Sequence, residues 1–110
     1  MQVRKLEIVR WQEPTPPQEH ELRRRMAAEG LVSYTWSNGP GDHYAVHSHS
    51  YEKVLYCVHG SIRFVLPDLP EMVEYIDLAP GDCMYLPPNV RHTAFVGSHG
   101  VICLEASRYR

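Results

Sequence analysis

The chain has 110 residues, enough for one domain and too few to divide into two cores. Hydrophobic residues make up 44% and charged residues 22%, the balance of an ordinary globular protein. A formal net charge of -2 excludes the basic surface expected of a nucleic-acid binder or a polybasic membrane patch. The one cationic run, Arg23-Arg24-Arg25, lies among Glu19, Glu21 and Glu29 and reads as a solvated helix face. No apolar run approaches the roughly 20 residues needed to span a bilayer. Charge at Arg4, Lys5 and Glu7 stands where a secretion signal would need its apolar core. Cys57, Cys83 and Cys103 all fall in apolar strand-like runs, and an odd count fits reduced thiols in a cytoplasmic protein. Each reads first as a small buried hydrophobe.

In chain order, residues 2–11 alternate as an edge strand would, anchored by Val3, Ile8 and Trp11. The proline-rich stretch 13–17 breaks the chain. Thr15 is a candidate cap for a helix starting at Pro16, with Leu22, Met26 and Ala27 as its apolar stripe and Gly30 as its stop. Everything after Gly30 reads as short strands between turns: 31–36, 42–49, 54–58, 61–66, 72–78, 83–86, 90–96 and 101–106. Strands at this spacing with no second helix predict an all-β sandwich or barrel.

His47 and His49 are separated by one residue on a predicted strand, so both imidazoles point to one face. Alone, such a pair is weak evidence of a metal site. The context is more specific. Gly41 stands six residues before His47 and Gly60 eleven after His49; further on come Gly81, Pro87 and His92. In these positions the chain resembles the cupin superfamily, whose first motif reads G-x5-H-x-H-x(3,4)-E-x6-G and whose second reads G-x5-P-x-G-x2-H-x3-N. The resemblance covers residues 31–106 and implies a double-stranded β-helix, a jelly-roll barrel, over 31–110. Residues 1–30 would form a strand-and-helix extension packed upon it. It further implies a divalent metal held inside by His47, His49 and His92, and pairing of two chains into a homodimer.

Three positions depart from the motifs. Asn89 replaces a glycine, mild because asparagine tolerates positive φ, and Val96 replaces an asparagine that is not a ligand. Lys53 stands where the family's glutamate ligand belongs, and Glu52 is one position early. A regular strand gives Lys53 the parity of the histidines and sends Glu52 to the opposite face; a bulge after His49 would reverse this and bring the carboxylate to the metal. Lys53 is therefore the candidate catalytic residue, as anchor of an anionic ligand or as a base, and equally a candidate for an internal ion pair, with Glu105 one conceivable partner. His43 reads as a cavity-wall residue; His20, His59 and His99 read as exposed. Tyr56 and Tyr85 read as core with hydroxyls at its edge, and Leu55 and Cys57 as cavity wall.

Three functions fit these residues. One is a metal-dependent enzyme, for which the resemblance points to a dioxygenase-like oxidoreductase because some iron dioxygenases of the family use three histidines without the glutamate. The others are a non-catalytic small-molecule binding or sensing module, and a metal-free remnant. Imidazole donors suit Zn, Fe, Ni and Cu, with Mn also open, and the sequence does not choose among them.

Overall fold

The computed structural model describes residues 5–68 and 75–109. Its elements are β1 (Glu7–Val9), α1 (Glu19–Ala28), β2 (Tyr34–Asn38), β3 (His43–His47), β4 (Glu52–Val65), β5 (Ile76–Leu78), β6 (Cys83–Leu86) and β7 (His92–Arg108). All strands belong to one sheet of order β1-β6-β4-β7-β2, with β3 added on β7 and β5 on β4.

Two long antiparallel strands make the frame. The first half of β4 pairs with the end of β7, from Glu52 opposite Arg108 to Cys57 opposite Cys103, and its second half pairs with the start of β7, from Ile62 opposite Val96 to Val65 opposite Thr93. Register shifts around Gly60 mark the bend between the halves. There the strands approach so closely that a Cβ on Gly60, whose φ is +79°, would lie 2.0 Å from the Gly100 carbonyl oxygen. Only glycine fits both that conformation and that gap. The sequence reading divides each long strand in two at these glycines; the structure carries β4 and β7 through them as bends, because cross-strand pairing resumes on either side.

The bent sheet buries two clusters on opposite faces. Leu55, Cys57, Ile62, Phe64, Leu78, Met84, Leu86, Val101 and Cys103 belong to the inner one. Leu22 and Met26 of α1, spaced by four residues and fully buried, pack with Val54, Tyr56, Cys83, Tyr85 and Leu104 in the other. Alternation along β4 and β6 sends neighbouring residues to each cluster in turn, which is why these strands are apolar on both faces.

Several local expectations change. The helix starts at Glu19, with Gln18 as its first flanking residue and no side-chain cap, so Thr15 does not cap it. Instead Thr15 offers its carbonyl to the Trp11 indole at 2.8 Å. Ala27 is exposed, leaving Leu22 and Met26 as the stripe. The helix ends as expected: Gly30 has φ +77°, its N–H donates to Ala27 and that of Leu31 to Met26. Among the described residues of 2–11 the strand runs over Glu7–Val9 on the sheet edge against β6; Val3 lies outside the described residues, as does 72–74 of the strand expected at 72–78.

The larger correction concerns closure. The sequence resemblance implies a closed jelly-roll barrel, but the sheet is not closed: its path ends at β1 on one side and β2 on the other. The short strands β2 and β3 each pair with a different half of β7 rather than with a strand that would complete a ring. The fold is all-β and strand-rich with one helix, built around an open sheet.

Candidate metal centre

His47 ends β3 and lies directly across from His92, the first residue of β7. His49 follows in the loop, where its carbonyl accepts the Asn89 N–H at 2.7 Å. Asn89 takes φ +65°, the left-handed conformation that a glycine would adopt freely and that asparagine tolerates. That turn fixes the approach of the chain to His92 and holds the His49 loop beside it.

The three imidazoles come together, with ligand nitrogens within 4.8 Å of one another. Their ring centroids are 4.9 Å apart for His47 and His49, 4.3 Å for His47 and His92, and 5.3 Å for His49 and His92. In two rings the main chain decides the tautomer. His47 Nδ1 donates to the Ala45 carbonyl at 2.8 Å, and His92 Nδ1 donates to the Val90 carbonyl at 3.0 Å. A carbonyl only accepts, so each Nδ1 carries the hydrogen and each Nε2 keeps its lone pair.

The Nε2 atoms of His49 and His92 are buried without a hydrogen-bond partner. Buried polar atoms are seldom left so unless something else satisfies them. Protonation is not the remedy: burial pushes the His92 imidazole down to about 4, and burial together with the nearby Lys53 ammonium lowers that of His49. Three imidazoles whose ligand nitrogens gather within 4.8 Å of one another are a donor set that can hold a divalent transition metal.

A cavity of about 350 Å³ adjoins the cluster, its lining including His47, His49, Tyr34, Trp36, Lys53 and Glu105. Lys53 lies on its wall, with Nζ 3.3 Å from Glu105 Oε1 and 5.7 Å from the Phe64 ring centre. Glu105 also accepts hydrogen bonds from Tyr34 Oη at 2.6 Å and Trp36 Nε1 at 3.0 Å. The Tyr34 hydroxyl is held well above its ordinary range, by burial first and then by this carboxylate.

Glu52 is not in the cluster. It is fully buried on the other face of β4, where Arg108 Nη1 lies 3.1 Å from its Oε1, and the same guanidinium reaches Glu29 at 3.2 Å. The expected single strand from His49 to Lys53 is broken by a loop between β3 and β4; Glu52 and Lys53 pair in register with Arg108 and Ser107, so they face opposite sides of the sheet. His43 stacks on Phe95 at 4.5 Å and meets Thr93 Oγ1 at 3.2 Å, outside the cavity lining. His20, His59 and His99 are exposed. Tyr85 is buried, with its hydroxyl donating to Glu29 at 2.9 Å. Leu55 and Cys57 sit in the inner cluster but do not line the cavity.

Sequence reasoning missed the aromatic wall. Tyr34 and Trp36 share one face of β2 at a spacing of two, the signal that was present, but nothing in the sequence says which face of an edge strand looks inward. Tyr51 stacks on His49 at 4.8 Å from a loop, where periodicity is silent.

No protein-family model matches the chain, and no curated protein matches it in sequence. Solved structures do. An RmlC-like cupin from Shewanella frigidimarina is 25% identical with a TM-score of 0.57, over 73% of this chain and 68% of that one. The DMSP lyase DddQ from Ruegeria pomeroyi is 23% identical with a TM-score of 0.61, over 72% of this chain and 38% of its own. A variant of oxalate decarboxylase from Bacillus subtilis is 24% identical with a TM-score of 0.63, over 71% of this chain and 21% of its own. This chain thus spans well under half of either enzyme. The fold shared with these proteins is that of the cupin superfamily.

Proposed function

We propose that this is a metal-dependent cupin-fold enzyme in which His47, His49 and His92 hold a divalent transition metal beside a cavity for a small organic molecule. The observation that carries this reading is the pair of buried, partnerless Nε2 atoms on His49 and His92, within reach of His47. Bound there, the metal would supply Lewis acidity or, if redox-active, electron transfer to oxygen. The chain's own residues do the rest. The main-chain carbonyls of Ala45 and Val90 orient His47 and His92, and the Asn89 turn holds His49. Trp36, Tyr44 and Phe64 present flat apolar surface to a ligand and keep water from it.

Enzymes among the structural neighbours, a lyase and a decarboxylase by their names, favour turnover over binding alone. Fold likeness does not choose a reaction, and a dioxygenase-like oxidation is the finer reading that three histidines without a carboxylate support. One observation favours the second reading, a non-catalytic binding module: Lys53 is held by Glu105 rather than free to act as a base.

Metal analysis of the purified chain tests the proposal. About one transition-metal ion per chain is expected, directly or after reconstitution with Zn, Fe, Ni, Cu or Mn, and loss of it in His92→Ala. No metal under either condition overturns it. Oxygen consumption or product formation with small organic acids or carbonyl compounds marks the enzyme; a thermal shift without turnover marks the binder.

A further inference from the structure

The cavity wall has an unusual charge arrangement. Three imidazoles bring no negative charge to the centre, and Glu52, the nearest acid in sequence, is committed to Arg108 on the opposite face of the sheet. On the cavity side stand one ammonium, Lys53, and one carboxylate, Glu105, which cancel each other. Glu105 is already occupied by Tyr34 and Trp36 as well as Lys53. Lys53 has three N–H donors, and Glu105 is its one ion-pair partner among the described residues. Its ammonium lines the same cavity as His47 and His49.

A dication at the histidines would therefore leave the largely aromatic pocket with net positive charge, which one bound carboxylate would lower. A buried charge is costly unless it is paired. The missing negative charge has to come from what binds. The rest of the wall, Trp36, Tyr44, Ile62 and Phe64, suits a flat or apolar body.

We infer that the cavity selects a small organic acid, a monoanionic carboxylate on an apolar body of about one aromatic ring, with its carboxylate lying between the metal position and Lys53. Lys53 is a specificity residue that attracts the carboxylate, and Glu105 tempers that attraction while fixing the lysine. This rests on the metal-site reading above and adds to it the ligand class.

The test uses the full chain loaded with cobalt(II), whose visible spectrum reports the histidine site independently of any activity. Benzoate and its neutral isostere benzamide are then titrated by calorimetry. Benzoate is expected to bind about tenfold or more tighter than benzamide, the scale of one partly screened charge contact. Lys53→Met is expected to erase most of that preference, whereas Glu105→Gln, which keeps a hydrogen-bond acceptor for Trp36, is expected to tighten benzoate several-fold. Opposite signs in two variants of one ion pair cannot come from general loss of structure, and an unchanged cobalt spectrum shows that the site persists. Should Lys53→Met lose the cobalt spectrum through misfolding, the double variant Lys53→Met/Glu105→Gln, which leaves no unpaired charge, takes its place. Equal binding of benzoate and benzamide, or a benzoate preference indifferent to both substitutions, overturns the anion selection while leaving the metal site standing. Failure of the wild-type chain to take up cobalt overturns both.

Discussion

His92 shows how burial turns a titratable side chain into a committed donor. It is 1% exposed, and burial holds its imidazole at about 4 rather than the ordinary 6.5. In the metal-free protein the unfolded chain therefore takes up a proton between those values while the folded chain refuses it. Stability contributed by the neutral ring is full above pH 6.5 and falls as the pH drops towards 4, by up to about 3 kcal/mol. Urea unfolding across pH 7 to 4 should show this loss, and His92→Gln should flatten it; an equal slope in both proteins would contradict it. The histidines were legible in the sequence through the two glycine-framed motifs; the expected strand over 42–49 ends at His47, so His49 reaches the cluster from the loop rather than by strand parity. The fate of Lys53 was legible as parity and as an internal ion pair with Glu105 as one conceivable partner, and the structure makes that pair. Its partner Glu105 lies 52 positions later on β7, and the cross-strand register that brings the two together depends on bends the sequence does not number.

Among the elements, the bend of β4 and β7 does most to place the site. Gly60 and Gly100 both adopt positive φ, and the backbone of one fills the space a side chain would need on the other. Gly60→Ala should destabilise the fold by about 2–3 kcal/mol, since strain and a backbone clash act together. Gly30→Ala, with the same φ but open space around it, should cost nearer 1 kcal/mol, the left-handed penalty alone. Urea midpoints of the two variants compare them directly; equal losses would mean that the close approach carries no energy. The helix was legible from its stripe and its glycine stop, but its first turn was placed too early. A threonine before prolines looks like a cap, yet here that segment serves the Trp11 indole instead.

At the scale of the molecule, one sheet encloses a core on its inner face and packs α1 on its outer face. Cys57 and Cys103 belong to the inner core and Cys83 to the outer, and all three are buried. Burial pushes the Cys57 and Cys83 thiols up to about 12 and raises Cys103 as well. The native protein should thus resist alkylation by iodoacetamide at pH 8, and unfolding should expose three sites per chain to mass spectrometry. Rapid labelling of any of them without unfolding would contradict this packing. Alternating burial and strand count made the all-β class readable. Closure was not, because periodicity says which face of a strand is wet but not whether two distant edges find each other. No helix among the described residues is long and apolar enough to cross a membrane.

The two carbonyls that set the tautomers of His47 and His92 belong to the residues two positions upstream in each case. A peptide carbonyl is present whatever side chain its residue bears. Ala45 and Val90 can drift in sequence without erasing the instruction that leaves each Nε2 available. Orienting partners made of side chains would be lost to a single substitution, whereas these are lost only if the backbone path itself moves. The donor chemistry is therefore as durable as the fold, and diversification can fall on the cavity wall while the histidines stay ready.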